Sequence, residues 1–545
     1  MLLWPLLKHN QPAKKNQTAK YVAVVLMSMP FSVFCQVVDI KAKVNTTGYI
    51  YETETGDNEA TQIESFTIKP SITGNYSSRG ISASLAANHS SVKTNTDTDT
   101  DSDSDTQNYT DLRYTSTLTL IENALTLSLS GNQNYRVVDQ QQADFCDEIS
   151  SCDSLTKSRS NNAQLDFSIP NPLYLGFSLQ STYSKTKTDQ SLENVTGLDN
   201  DNLGIVARLY QGKNIRAVNF DVSAQYNDTS RTDSQNFKST TVQGNFGFPI
   251  INKVDFIVTA NLEEYDSGNT VISNSSNIDT TSYGAGLKWK PRNERSLSLT
   301  YNQLEEDDNR TKFVGVNLAW AFTSRTALNF DYGKRFFGDA YSLDFKHSLK
   351  SLRTSVSYSE DVTTFSRLGA STTTITGIFV CEFGSTELTD CFQPDSLDYQ
   401  LQAGEEFRAT SEIDTDITEE ILFRKSGTAT IGYDKRKVKI SINANYSQTE
   451  YLESDRLSTN RRLSFNLSYT LGRKTDISLV SSVSKNQRSE FEEEDTIVTN
   501  NINFNRNIGR YLKLNIGLRL LDRKSDTLER DSSDKRLTVG LNYTF

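Results

Sequence analysis

Histidine is nearly absent: His9, His89 and His347 are the only three in 545 residues. That scarcity removes much of the usual machinery of hydrolytic enzymes, in which a base stands beside a serine or cysteine. His347 precedes Ser348, but adjacent residues of an extended chain face opposite sides. His347 falls instead in the series Tyr341, Leu343, Phe345, His347, Leu349, an apolar face on which a position near a membrane interface explains it better than catalysis. No other catalytic cluster is evident, so the chain is read as a non-enzyme with no cofactor. No histidine lies near the cysteines either, which argues against a zinc site.

Proline is scarce as well, with nine residues. A chain that must donate to a hydrogen-bond ladder over most of its length has this bias. Long hydrophobic runs are missing: beyond residue 35 nothing approaches the length of a membrane-spanning helix. Hydrophobic residues make up only 36% of the chain, poor material for several packed soluble cores. Low hydrophobicity also admits disorder, yet aromatics reach 10%, with 24 Tyr and 27 Phe. A membrane β-barrel reconciles these facts, because only alternate residues of each strand face lipid. Positive charge is also short. The formal charge is −11. Residues 1–35 contain four lysines and no acidic residue, so without them 53 basic residues stand against 68 acidic ones, a charge of −15. Nucleic acid is not an expected partner of such a chain.

Cysteine occurs five times. Cys35 ends the leader, and the others fall as two local pairs, Cys146 with Cys152 and Cys381 with Cys391. An even count in an exported chain points to two disulfides with those pairings, incidental thiols being the alternative.

What is present begins with an address. Lys8, Lys14, Lys15 and Lys20 precede an uncharged apolar run from Tyr21 to Phe34. This reads as a secretory signal over residues 1–35, cleaved after Cys35, with the barrel over 36–545. Lipidation of Cys35 is disfavoured, since Phe34 stands where that signal wants a small residue.

The dominant signal is a period of two. Leu537, Val539, Leu541, Tyr543 and Phe545 alternate with Arg536, Thr538, Gly540, Asn542 and Thr544. The same holds for Leu512 to Leu520, Leu463 to Leu471 and Val438 to Ile442. Strict alternation predicts strands with one apolar and one polar face. Short connections occur near Asn75–Gly80, Ile121–Asn123, Pro170–Pro172, Gln211–Asn214, Pro249–Lys253, Pro291–Glu294, Thr323–Arg325, Lys350–Ser351, Asp434–Arg436, Gly472–Lys474 and Ile508–Arg510. Between them lie longer polar segments, among them Lys93–Gln107, Asp139–Thr156, Thr188–Asn200 and Phe365–Asp416.

The prediction is an all-β, antiparallel up-and-down transmembrane barrel of about 24 strands (range about 20 to 26), with short periplasmic turns and long extracellular loops. Both cysteine pairs are expected in outward-facing loops. The polar faces project Asp344, Lys346, Arg353, Lys439, Lys513, Arg519 and Arg536 into a lumen too wide for side chains alone to fill. Asp97, Asp99, Asp101, Asp103 and Asp105 could gather calcium, but with no glycine to turn a calcium loop they read as a solvated tip. Leu541, Tyr543 and Phe545 resemble the terminal strand signature by which the barrel assembly machinery recognises outer-membrane proteins. The expected location is therefore the bacterial outer membrane, with its lipid as a partner.

One segment carries a more specific resemblance. Gly333-Lys334-Arg335-Phe336-Phe337-Gly338-Asp339, then Tyr341-Ser342-Leu343-Asp344, then Ser357-Tyr358-Ser359-Glu360-Asp361-Val362-Thr363-Thr364, resembles the PEP-CTERM-system-associated outer-membrane β-barrel family. The match departs at Lys334 and in the spacer Lys346–Leu352, which tends to be rich in arginine in that family. The resemblance implies an association with exopolysaccharide synthesis and exosortase protein sorting. It implies a channel or accessory component in the export of polymer or sorted protein, with extracellular polysaccharide or an export complex as partner. Read from the residues alone, Phe336-Phe337-Gly338-Asp339 is a tight hairpin turn among long loops. It is either a low point in the rim where a partner sits or an element that packs a loop. Two other functions stay open: a structural or adhesive surface barrel without transport, and a general porin.

Overall fold

The computed structural model describes residues 37–545 except 57–59, 99–100, 138–146, 150–154, 190–198, 233–235, 267–276, 293, 307–308, 365–378, 384–390, 394–398, 400, 403, 408–420, 453, 489–492 and 527–529. The leader, Cys146 and Cys152 lie outside the described residues.

Twenty-four strands form a single sheet in which each pairs antiparallel with its neighbours in the chain. The ring closes where the first strand, Val37–Thr55, pairs with the last, Ser532–Thr544, in a register running from Lys43 opposite Thr544 to Thr55 opposite Ser532. Closure leaves no open sheet edge, the condition for strands to cross a bilayer. The eleven short connections read from the sequence all fall between consecutive strands at one end of the ring. They are made tight by left-handed backbone at Asn123, Asn171, Lys253, Glu294 and Arg436, and at Gly509.

The alternation sorts side chains as the period predicts. Leu537, Val539, Leu541 and Tyr543 are exposed on the outer face, while Arg536 and Asp534, between and beside them, are buried. The same apolar outer face recurs around the ring, as at Ile40, Leu165, Phe246, Leu287, Ile442 and Ile502. A continuous exposed apolar band of this extent does not persist in water; its solvent is lipid. Aromatics mark the short-turn boundary, with Trp289 and Trp320 in ring contact at 5.9 Å and Tyr543 against Phe545 at 4.9 Å. Outward ion pairs mark the other boundary, such as Lys185–Asp201 at 2.8 Å, Arg310–Glu305 at 3.1 Å and Lys535–Glu52 at 3.2 Å.

Strand lengths run from 10 residues in Thr326–Arg335 to 21 in Asp101–Ile121. About 9–11 residues suffice to span a bilayer, so most of the wall rises well above the lipid at the long-loop end. The segment Lys93–Gln107, expected to be a loop, is instead mostly paired strand: Ile81–Thr98 and Asp101–Ile121 zip up to Asp97 opposite Ser102 and Thr98 opposite Asp101. Its Thr, Ser and Asp have a loop's composition but keep the period of two, and pairing with a neighbour rewards the period. Protein extracted from membranes should therefore migrate as a compact species on unheated gels and as an extended one after boiling. A single position at both temperatures would contradict a closed ring of this size.

Candidate functional site: the lumen

The inner face is polar, as required of a wall that encloses water. Two segments from the long-loop end fold into it. The first is 379–407. Its described parts form a small sheet of Val380–Glu382, Cys391–Phe392 and Glu405–Phe407, separate from the barrel. Cys381 and Cys391 face each other across it in a disulfide with S–S 2.12 Å, and with Phe379 they form its own buried cluster.

This sheet touches the barrel wall on two sides. On one, Arg113 forms an ion pair with Glu406 at 2.7 Å and stacks over Phe383 at 4.8 Å, and Gly404 lies against the Asn75 side chain. On the other, Lys439 donates to the Cys391 carbonyl and Gln393 donates to the Gly432 carbonyl at 3.5 Å. Asn75, Gly432 and Lys439 stand close to the short turns. The segment thus leaves the wall at the long-loop end and descends almost the full depth of the lumen.

The second is the short stretch Asp147–Ile149, beside Cys146. Asp147 accepts from Arg536 at 2.6 Å and pairs with Arg519 at 3.3 Å. Glu148 lies 3.6 Å from Lys69, and Tyr51 donates to the Ile149 carbonyl at 3.2 Å. This stretch is pinned to the wall beside the ring's closing seam.

The first placement corrects the expectation that Cys381 and Cys391 sit in an outward-facing loop; Cys146 and Cys152 lie outside the described residues, beside a stretch that turns inward. The lumen is wide enough to hold both segments, and its charged wall offers partners that water outside does not. The Cys381–Cys391 bridge staples a segment inside the barrel rather than a loop exposed to proteases.

The residues expected on the inner face are all on it. Asp344 and Lys346 pair with each other at 3.3 Å. Arg353 is buried and donates to the Ser348 hydroxyl at 3.4 Å. Lys439, Arg519 and Arg536 hold the inward segments. Lys513 stands opposite Asn542 and Asn507, nearer the short turns. His347 is on the outer face, 2.7 Å from the Thr326 hydroxyl. Phe545 is exposed on the outer face, and its N–H donates to Ala42 at the seam. Among the described residues no group of three or more His, Cys, Asp or Glu is arranged to hold a metal ion.

The hairpin tip Arg335-Phe336-Phe337-Gly338 is not an open seat. Gly338 takes φ +108°, which closes the two-residue turn in a conformation a β-carbon would oppose. The strand Gly338–Ser348 pairs with the next strand, Leu352–Thr364, only from Ser342 onward, so the tip leaves the wall. Phe336 packs on Tyr265 at 4.9 Å and Phe337 on Phe423 at 4.6 Å. Arg335 reaches Glu263 with both carboxylate oxygens at 3.0 and 3.1 Å and the Tyr265 hydroxyl at 2.7 Å. The tip therefore clasps two stretches of rim, built around buried Phe237, Tyr265, Ile278, Val362 and Ile421. Below it lies a cavity of about 1150 Å³. Sequence reading missed Asp147, Glu263 and Tyr265 as anchors, because their partners are distant in the chain. Only the inward register of the two strand residues, Glu263 and Tyr265, was there to be found.

No family model matches the chain, and no curated protein matches it. Among solved structures, the chain is similar to the siderophore receptor PirA from Acinetobacter baumannii, at 9% identity and a TM-score of 0.39, over 93% of this chain and 80% of that one. It is likewise similar to the FrpB iron transporter from Neisseria meningitidis, F3-3 variant, at 10% identity and a TM-score of 0.39, over 93% and 81%. The copper transporter OprC aligns at 10% identity and a TM-score of 0.36, over 93% and 80%. The barrel itself rests on the chain's own ring closure and apolar belt.

Proposed function

We propose that the chain is a gated passage for large polar material across the bacterial outer membrane, working in the export of polysaccharide or sorted protein as a member of the PEP-CTERM-associated barrels. The observation that carries this reading is the lumen: 24 strands enclose a polar bore, and what fills it is held by side-chain contacts rather than by wall strands. Contacts of that kind can open without breaking the ring. The clasp adds support to the family assignment, since Arg335, Phe336, Phe337 and Gly338 of the resembling motif act together in one structural device. The motif's fixed order then has a reason beyond a turn.

One observation favours a second reading. Segment 379–407 sits deep in the bore, as it would in a surface barrel that only displays its loops. Purified protein in planar bilayers separates the two. Stepwise conductance supports a passage; silence from the intact chain and from a variant lacking the segment leaves the scaffold. The export role has its own test in the host. Secreted polymer and surface-anchored protein both unchanged after loss of the chain would sink it.

A further inference from the structure

We propose that the cavity beneath the Phe336–Phe337 clasp binds an uncharged, polyhydroxylated chain, a neutral oligosaccharide segment. This rests on the reading of the barrel as a passage and adds what is gripped and where. At about 1150 Å³ the cavity exceeds the roughly 300–1,000 Å³ of ordinary small-molecule pockets, room for several sugar units.

Its charges nearly balance, and seven of the eleven are paired in place. The lining carries five cationic residues, Arg208, Lys288, Lys290, Lys334 and Arg335, against six carboxylates, Asp221, Asp255, Glu263, Asp331, Glu360 and Asp361. Arg208 grips both Asp221 oxygens, at 2.9 and 3.1 Å. Lys290 pairs with Asp255 and Arg335 with Glu263. An ionic ligand would have to break pairs already made, whereas a neutral one leaves them intact.

The remaining lining is dense in amides and hydroxyls. Gln225, Gln243 and Asn245 project into the cavity with exposed side chains. The register sets Gln243 between Ser223 and Asn261, and Asn245 between Asp221 and Thr259, so polar groups repeat from strand to strand at about 4.8 Å. An amide both donates and accepts. That matches a hydroxyl, which does the same, better than it matches a phosphate or carboxylate, which only accepts.

The floor is deepened by glycine. Asn302 lies over Gly284 and Gly315, where an added β-carbon would come within 1.9 Å of its Oδ1 and 2.7 Å of its Nδ2. Thr259 donates to Asn302 at 3.0 Å, and Asn302 donates to Thr300 at 2.8 Å. The side chain is thereby laid flat along the wall instead of filling the space above.

Isothermal titration of the intact barrel in nanodiscs tests the proposal. The probes are three neutral hexasaccharides, an α-1,4-glucan, a β-1,4-glucan and a galactomannan, beside the anionic hexamer of galacturonate. At least one neutral hexamer should bind and the anionic one should not. Gln243→Ala with Asn245→Ala should weaken that binding on the order of tenfold, ~1.4 kcal/mol, and Gln243→Trp should weaken it at least as much by setting an indole where the chain would lie. Each variant is first required to show the compact band on unheated gels. Binding of no neutral hexamer, equal binding of the anionic one, or binding indifferent to both variants would overturn the proposal. Conductance steps that persist in any of those cases leave the passage standing and remove only the site.

Discussion

Replacing residues 379–407 with a short glycine-serine linker should raise the single-channel conductance several-fold. The ring should survive the excision, because the strands on either side of the segment, Leu352–Thr364 and Ile421–Lys435, pair directly with each other from Leu352 opposite Tyr433 to Thr364 opposite Ile421. Closure therefore does not pass through the excised piece. The segment is stapled within itself and moored to the wall by non-covalent contacts. Its disulfide closes a span of 10 residues, worth about 2–3 kcal/mol in the chain-entropy account. The Arg113–Glu406 tether has an arginine side chain that is half exposed, and such a pair contributes about 0–1 kcal/mol. A unit stapled in this way should also move as a unit. Cys381→Ser with Cys391→Ser should then leave the mean current nearly unchanged and increase its fluctuation. An excised variant that conducts like the intact chain would show that the segment does not obstruct the path.

The barrel was legible in the sequence because lipid enforces it locally. Each outer position must be apolar whatever its distant neighbours are, so Leu537 to Phe545 and Leu463 to Leu471 announce their faces without knowledge of the rest. The same parity placed Asp344, Lys439 and Arg536 on the inner wall. The short turns were legible for a related reason, since a tight reversal constrains only its own few residues. The interior of the lumen was not legible. Asp147 meets Arg536 across 389 positions of sequence, and Arg335 meets Glu263 across 72. A polar loop facing water and a polar loop facing a polar wall have the same composition, so nothing in Asp139–Thr156 or Phe365–Asp416 tells the two apart. The tract from Asp97 to Asp105 misled in the opposite sense. Its composition suggested a loop, but the alternation within it was the stronger instruction and extended the strands.

Parity also gives the sharpest contrast between neighbouring residues. Arg536 and Lys535 are adjacent, on opposite faces of the last strand, and both are ion-paired. Arg536 is 3% exposed. It donates to Asp147 at 2.6 Å and to Asp534 at 3.0 Å, with its guanidinium 4.8 Å from the Tyr51 ring. Asp534 is buried too, so Arg536→Ala leaves a buried carboxylate short of its partner and loosens the inward stretch by removing one of the two arginines that hold Asp147. Breaking a buried pair from one side costs about 3–5 kcal/mol. Lys535 pairs with Glu52 on the outer surface, and both side chains are about half exposed. Lys535→Ala should cost about 0–1 kcal/mol, as exposed pairs do. Arg536→Lys should recover only part of the loss, because one ammonium cannot serve two carboxylates with the fixed fork of a guanidinium. The readout is the temperature at which the compact gel band converts to the extended one, with limited digestion by a glutamate-specific protease reporting on the stretch Asp147–Ile149 through cleavage after Glu148. Arg536→Ala should lower that temperature clearly and expose the stretch to cleavage, and Lys535→Ala should do neither. Equal shifts for the two variants would mean that the Arg536 cluster is as solvated as the outer surface, and that Asp147 is not what holds its loop inside the barrel.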